Sequence, residues 1–177
     1  LGGVAGNREI GIVVNSGTKS LTLFQLGAPT VTQQIPLGSS ATVTPVGFSL
    51  RGRRAAVPLG NAASVALVDL STSSVSRFFT FPSGNATGSV WSNDTTVFAA
   101  NTANNRVGRF YVNQTGTDIT SSVEVAPSPT AMAFAAGRVL AVSGNLANFV
   151  PVGEGVVTAI NPVTMAVIAT VQTGGTN

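Results

Sequence analysis

The chain has no cysteine and no histidine. Thiolate and imidazole metal sites, cysteine nucleophiles and Ser-His-Asp relays are therefore excluded. No remaining side chain titrates near neutral pH unless a carboxylate or Lys19 is strongly perturbed. Without cysteine there is also no disulfide clue to compartment. Charge is scarce: charged residues are 8% of the sequence, and nine Lys and Arg against six Asp and Glu give a net charge of +3. So few cations, spread along the whole chain, make no patch dense enough to neutralise many phosphates, and nucleic acid is not expected as a partner. No apolar run approaches the roughly 18 residues of a membrane-spanning helix, so this segment is not expected to span a membrane. The start, LGGVAGNRE, has no basic segment followed by an apolar stretch and reads as neither signal peptide nor anchor. The carboxylates Glu9, Asp69, Asp94, Asp118, Glu124 and Glu154 show no pairing that implies a general acid and base. Calcium loops and phosphate-cradling glycine loops are missing too. No catalytic residue, cofactor site or metal site is expected.

What the chain has is apolar content, turn residues and a repeat. Hydrophobic residues are 44% of a 177-residue sequence that also carries 20 glycines and many Ser, Thr and Asn. Disordered chains combine little apolar content with high net charge, and this one does the opposite. A chain of this length buries about 70% of the surface it exposes when unfolded, enough for one self-sufficient core. Phe48, Trp91 and Phe134 recur every 43 residues, and Thr44, Thr87 and Thr130 keep the same interval four positions ahead of them. A fixed period of this size marks a repeat architecture, each copy being one supersecondary unit.

Each unit reads as four short strands. First strands are expected at 1–6, 45–50, 88–92 and 131–135, and second strands at 10–15, 54–59, 96–101 and 138–143. Third strands are expected at 20–26, 64–70, 106–112 and 155–160, and fourth strands at 31–37, 75–81, 119–125 and 165–171. Every run is rich in β-branched or aromatic residues and bounded by Gly, Asn, Ser, Asp or Pro, and no helical periodicity competes. Four-stranded antiparallel units at this stride predict an all-β chain forming a single β-propeller domain over 1–177, with blades at about 1–43, 44–86, 87–129 and 130–177. A β-sandwich or β-solenoid is the alternative. A sandwich has no reason to repeat an aromatic at a fixed interval, and a solenoid coil is shorter. No strand is left over to close a ring. The four units are therefore expected to belong to a larger propeller, with a closed four-bladed ring as the second possibility.

GIVVNSGTKSLTLFQL (11–26), TVTQQIPLGSS (30–40), VFAANTANNRVGRFYV (97–112) and above all VVTAINPVTMAVIATVQTGG (156–175) resemble the YVTN-type β-propeller repeat of bacterial extracytoplasmic proteins. The resemblance is at the level of the repeat and covers essentially the whole chain. Unit two departs from it, with Val57, Pro58 and Leu59 where the pattern has V-T-N. The resemblance implies export to the periplasm or cell surface.

In up-and-down blades, second-to-third loops share a face with the linkers between units, and first-to-second turns lie on the opposite face. Candidate interaction residues fall on both. The loop from Gly144 to Glu154 is longer than its counterparts and presents Asn148, Phe149, Val150 and Pro151. The opposite face gathers Arg8, Arg51, Arg53, Arg54 and Arg138 against Glu9 and Asp94. These arginines suit an acidic partner or anionic lipid headgroups, and are also what solvated turn residues look like. Trp91, with Phe48 and Phe134, is expected to fill the seams between blades. The resulting expectation is a non-catalytic scaffold that docks on a partner protein or on the periplasmic side of a membrane complex. The alternative is a propeller enzyme of the lactonase, lyase or quinoprotein kind with its site in the central channel, although such enzymes generally place His, Glu or metal-binding side chains there.

Overall fold

The computed structural model describes residues 10–25, 28–148 and 150–176. Apolar β-branched runs punctuated by Asn, Gly and Asp turns form hairpins here, and no helix occurs among the described residues. The strands are β1 (Ile10–Asn15), β2 (Ser20–Gln25), β3 (Ala28–Pro36), β4 (Ser49–Arg51), β5 (Arg54–Pro58), β6 (Ser64–Asp69), β7 (Ser74–Thr80), β8 (Ala86–Trp91), β9 (Thr96–Asn101), β10 (Arg106–Tyr111), β11 (Ser121–Glu124), β12 (Pro129–Ala135), β13 (Arg138–Ser143), β14 (Leu146–Ala147), β15 (Val150–Pro151), β16 (Glu154–Ile160) and β17 (Val167–Thr176). They make four antiparallel sheets, each following chain order: β1-β2-β3, β4-β5-β6-β7, β8-β9-β10-β11 and β12-β13-β16-β17. The two-stranded β14-β15 hairpin sits in the loop between β13 and β16. The strand expected at 1–6 lies outside the described residues.

Two strands differ from expectation for identifiable reasons. β4 covers only Ser49–Arg51 because the opposite strand ends in Pro58, which has no N–H to give; its carbonyl accepts from Val46 at 3.3 Å instead. The fourth strand of the third sheet begins at Ser121 because the residues before it pair with the neighbouring sheet. Thr80 N–H donates to Thr117 O at 2.9 Å and Ile119 N–H to Thr80 O at 2.8 Å, a parallel bridge from the third sheet to β7 of the second.

The sheets pack in series, face to face, with apolar layers in the seams. Leu21, Leu23, Ile35 and Leu37 of the first sheet meet Ala55, Val57, Ala66 and Val68 of the second. On the other side of the second sheet, Val65, Leu67, Phe79 and Phe81 meet Trp91, Val97, Phe110 and Ile119. Phe98, Val107 and Val125 meet Val139, Ala141 and Ile160 across the third seam. Both faces of the two middle sheets are thus covered, and Thr96–Asn101 is buried at every position. This is why those strands lack clean alternation in the sequence.

The first strands of the second, third and fourth sheets, β4, β8 and β12, adjoin. Ser49 Oγ and Ser89 Oγ lie 2.8 Å apart, Trp91 Nε1 donates to Ser49 O at 3.2 Å, and Thr87 Oγ1 donates to Pro129 O at 3.1 Å. Trp91 is buried in the second seam, as expected, but Phe48 and Phe134 are each 37% exposed and belong to none of the seam clusters, which corrects the expectation that all three fill seams. Phe48 is not its counterpart, which corrects the 43-residue alignment of the three aromatics. Trp91 pairs with Val97 and Phe134 with Val139, whereas the matching residue opposite Ala55 is Leu50. Two one-residue offsets add up: the second strands recur every 42 residues at Ala55, Val97 and Val139, not every 43, and the β4–β5 hairpin, closing with Arg51 opposite Arg54, is one residue tighter than the β8–β9 hairpin.

Candidate functional site

The face carrying the β4–β5, β8–β9 and β12–β13 turns holds the expected arginines, and two of them are already occupied. Arg51 Nε donates to Asp94 Oδ1 at 2.6 Å, and Arg54 donates through Nη2 to Asp94 O at 2.6 Å. Arg54 also lies over the Trp91 ring, 5.3 Å from its centroid. These two arginines tie the turn of the second sheet to that of the third. Arg53 and Arg138 remain exposed, and Arg138 makes only a local 3.3 Å bond to Gly137 O. Arg8 and Glu9 lie outside the described residues. Asp94 was expected on this face, but its pairing with Arg51 and Arg54 was not, although a signal for it exists. Arg51 and Asp94 are 43 positions apart, so opposite charges occupy equivalent turns of successive repeats.

The Arg51 hydrogen bond, and then its charge, hold the Asp94 carboxyl below the usual carboxylate range. A depressed folded pKa means that the tie is complete above the unfolded carboxylate value and is lost as pH falls through the lower folded value. A carbon-detected NMR titration should show the Asp94 midpoint below that of an unstructured aspartate. Arg51→Ala should return it to the ordinary range with little change in melting temperature, because both partners are solvent-exposed.

Two further arginines act across seams. Arg77 on β7 donates to the carbonyls of Gln114, Thr115 and Gly116 at 2.5, 2.6 and 3.2 Å, fastening the β10–β11 loop of the third sheet. Arg109 on β10 donates to Pro162 O and Val163 O at 3.1 and 2.6 Å, fastening the β16–β17 turn of the fourth. The same device operates twice, one sheet apart. Replacing Arg77 with Met should cost about 1–2 kcal/mol, since its charge-assisted hydrogen bonds to the loop carbonyls are lost. Hydrogen exchange should then speed up at the amides of 117–119 before any other segment.

Between the first and second sheets, on this same face, lies a cleft of about 200 Å³ lined by Ile10, Ile12, Leu23, Gly52, Arg53 and Leu70. Its walls are aliphatic and Arg53 supplies its one charge. Apolar contact with a single cation is all it offers chemically. Among the described residues no group of three or more His, Asp or Glu could hold a metal ion.

On the opposite face the expected long loop is a hairpin. Leu146 pairs with Pro151 and Ala147 with Val150. Its base is fixed to the linker before the fourth sheet: Ser128 Oγ donates to Leu146 O at 3.1 Å and Asn145 N–H to Pro127 O at 3.0 Å. Asn148 and Pro151 are exposed, Val150 is 61% exposed, and Phe149 lies outside the described residues. Val152, 58% exposed, extends the apolar edge and was not anticipated. The hairpin's base is held to the linker before the fourth sheet, while Asn148, Val150, Pro151 and Val152 are exposed.

No protein-family model matches the sequence, and no curated protein matches it. Solved structures do. The chain is similar to Kuenenia stuttgartiensis hydrazine synthase at 16% identity and a TM-score of 0.74, over 90% of this chain and 44% of that one. It is similar to the computationally designed Ika8 protein at 9% identity and a TM-score of 0.67, over 93% of this chain and 46% of that one. At these identities the likeness concerns fold alone. The chain spans less than half the length of either.

Proposed function

We propose that this chain is four blades of a larger β-propeller of the YVTN type, exported from the cell, which binds a partner protein through its loop faces and catalyses nothing. The serial packing of four sheets, with the first strands of the second, third and fourth adjoining, supports the architectural part, since a radial array places successive inner strands side by side. The exposed residues of the β14-β15 hairpin support the binding part. Val150, Pro151 and Val152 project from a base held by hydrogen bonds, an apolar anchor on a rigid support. A protein partner suits this face better than a lipid surface, because the uncommitted cations Arg53 and Arg138 stand on the other one. Among the described residues no helix is long and apolar enough to cross a membrane.

A photo-crosslinking amino acid placed at Val150, and separately at Arg138, tests this in the cells that make the protein. A discrete adduct from position 150 in the envelope or secreted fraction, lost in Val152→Glu, is expected. Adducts from position 138 alone, or a protein confined to the cytosol, would contradict it.

A further inference from the structure

The first seam leaves open a space that the second closes. By strand pairing, Leu50 of β4 holds the position that Trp91 holds on β8. Trp91 is 5% exposed in the second seam, with Arg54 over its ring; Leu50 is smaller and 48% exposed. Two residues beyond Leu50, at Gly52, the cleft of about 200 Å³ opens between the first and second sheets. A methyl group added at Gly52 would meet nothing within 4 Å, so the mouth is open there. The walls run from buried Leu23 through half-buried Ile12 and Leu70 to Ile10, 45% exposed, and every one of them is aliphatic. Arg53 is exposed at this cleft, and alone among the described arginines its side chain donates to no acceptor. No carboxylate lines the cleft.

We infer that this cleft binds a free aliphatic monocarboxylate, its chain between the two sheets and its carboxylate on the Arg53 guanidinium. Small-molecule sites are concave and mostly apolar, with a few polar groups that fix orientation, and here one cation is that group. A guanidinium matches a carboxylate in shape as well as charge, and one unpaired cation suits a single negative charge. A dry apolar cavity of about 150 Å³ holds a six-carbon ring, so this cleft takes a chain of about six to eight carbons. The site is separate from the β14-β15 hairpin, and it stands whether or not the propeller and partner readings do, since it needs only the packing of the first sheet on the second.

Titration of the methyl-labelled 177-residue chain with sodium butanoate, hexanoate, octanoate and dodecanoate, followed by NMR, tests this. Octanoate should give saturable shifts at Ile10, Ile12, Leu23 and Leu70, with half-saturation at about millimolar concentration, ordinary for a ten-atom ligand. Affinity should rise about tenfold for each added pair of methylenes up to octanoate and then level off, because further carbons find no wall. Arg53→Gln should weaken octanoate about tenfold and leave octan-1-ol unchanged, since only the charged head is lost. Ile10→Trp should plug the cleft and abolish the shifts with an unchanged far-UV spectrum. Shifts spread equally over Val142, Val150 and other exposed apolar residues would overturn the inference. So would octylamine binding as tightly as octanoate, affinity still climbing at dodecanoate, or an Arg53→Gln variant that binds octanoate like the wild type.

Discussion

Phe79→Ala should lower stability by about 3–5 kcal/mol, the largest loss expected from any single side chain here. Phe79 and Phe110 are fully buried and stack at 4.3 Å between centroids with 23° between their planes. Phe79 comes from the last strand of the second sheet and Phe110 from the third strand of the third, so the pair is the centre of the middle seam. Arg77 lies over the outer face of Phe79, 5.2 Å from its centroid, which limits how far the site can collapse around a cavity. For a chain of this size the loss is roughly 10 °C in melting temperature. In a serial array the damage should be local, because each sheet touches only its neighbours. Exchange should rise in β6 to β10 while β2 and β13 keep their protection. Calorimetry with residue-resolved exchange checks both parts; uniform loss of protection would argue for one undivided core.

Gly60→Ala should cost about 2–4 kcal/mol, although it adds a single methyl group. Gly60 has φ of 57°, in the left-handed region, and a Cβ there would overlap Thr44 Oγ1 and lie 2.5 Å from Thr44 O. Neither can retreat freely. Thr44 Oγ1 accepts from Asn61 N–H at 3.1 Å, and Thr44 N–H donates to Leu59 O at 3.0 Å. Gly60 also exchanges two hydrogen bonds with Ala86, N–H to Ala86 O at 2.8 Å and O from Ala86 N–H at 3.0 Å, which joins the β5–β6 turn to the start of the next sheet. The substitution therefore strains the linker on one side and the seam on the other. Thr44→Ala in the same background relieves the overlap with the hydroxyl and should recover part of the loss, leaving the backbone penalty.

Most of the meander was legible because the chain punctuates it. The strands at 10–15, 96–101 and 138–143 have the expected bounds, each closed by Asn or Ser ahead of a turn. The Asn101 side chain shows why: Oδ1 accepts from Asn85 N–H at 3.2 Å and Nδ2 donates to Ser83 O at 2.7 Å, so the residue ends the strand and holds the linker. Illegible were the features set by the next sheet. The 117–119 segment looks like part of its own fourth strand, and its backbone groups instead bridge to Thr80. A 43-residue count registers neither the 42-residue stride of the second strands nor the one-residue difference in turn length, so it matched Phe48 to Trp91 where pairing matches Leu50. The arginine cluster was visible as composition. That Asp94 consumes two of its members follows only from comparing equivalent turns of neighbouring repeats.

The central claim is that successive meanders stand side by side with their first strands adjoining. The protein's lack of native cysteine makes that easy to test. In a Ser49→Cys, Ser89→Cys variant the two thiols are the only ones in the chain, at positions whose hydroxyl oxygens are 2.8 Å apart. Mild oxidation of the folded protein should close a disulfide between β4 and β8 almost completely, and should leave a Ser49→Cys, Val150→Cys control unlinked within the chain. Free thiols at 49 and 89 in a folded, oxidised sample would contradict the serial arrangement.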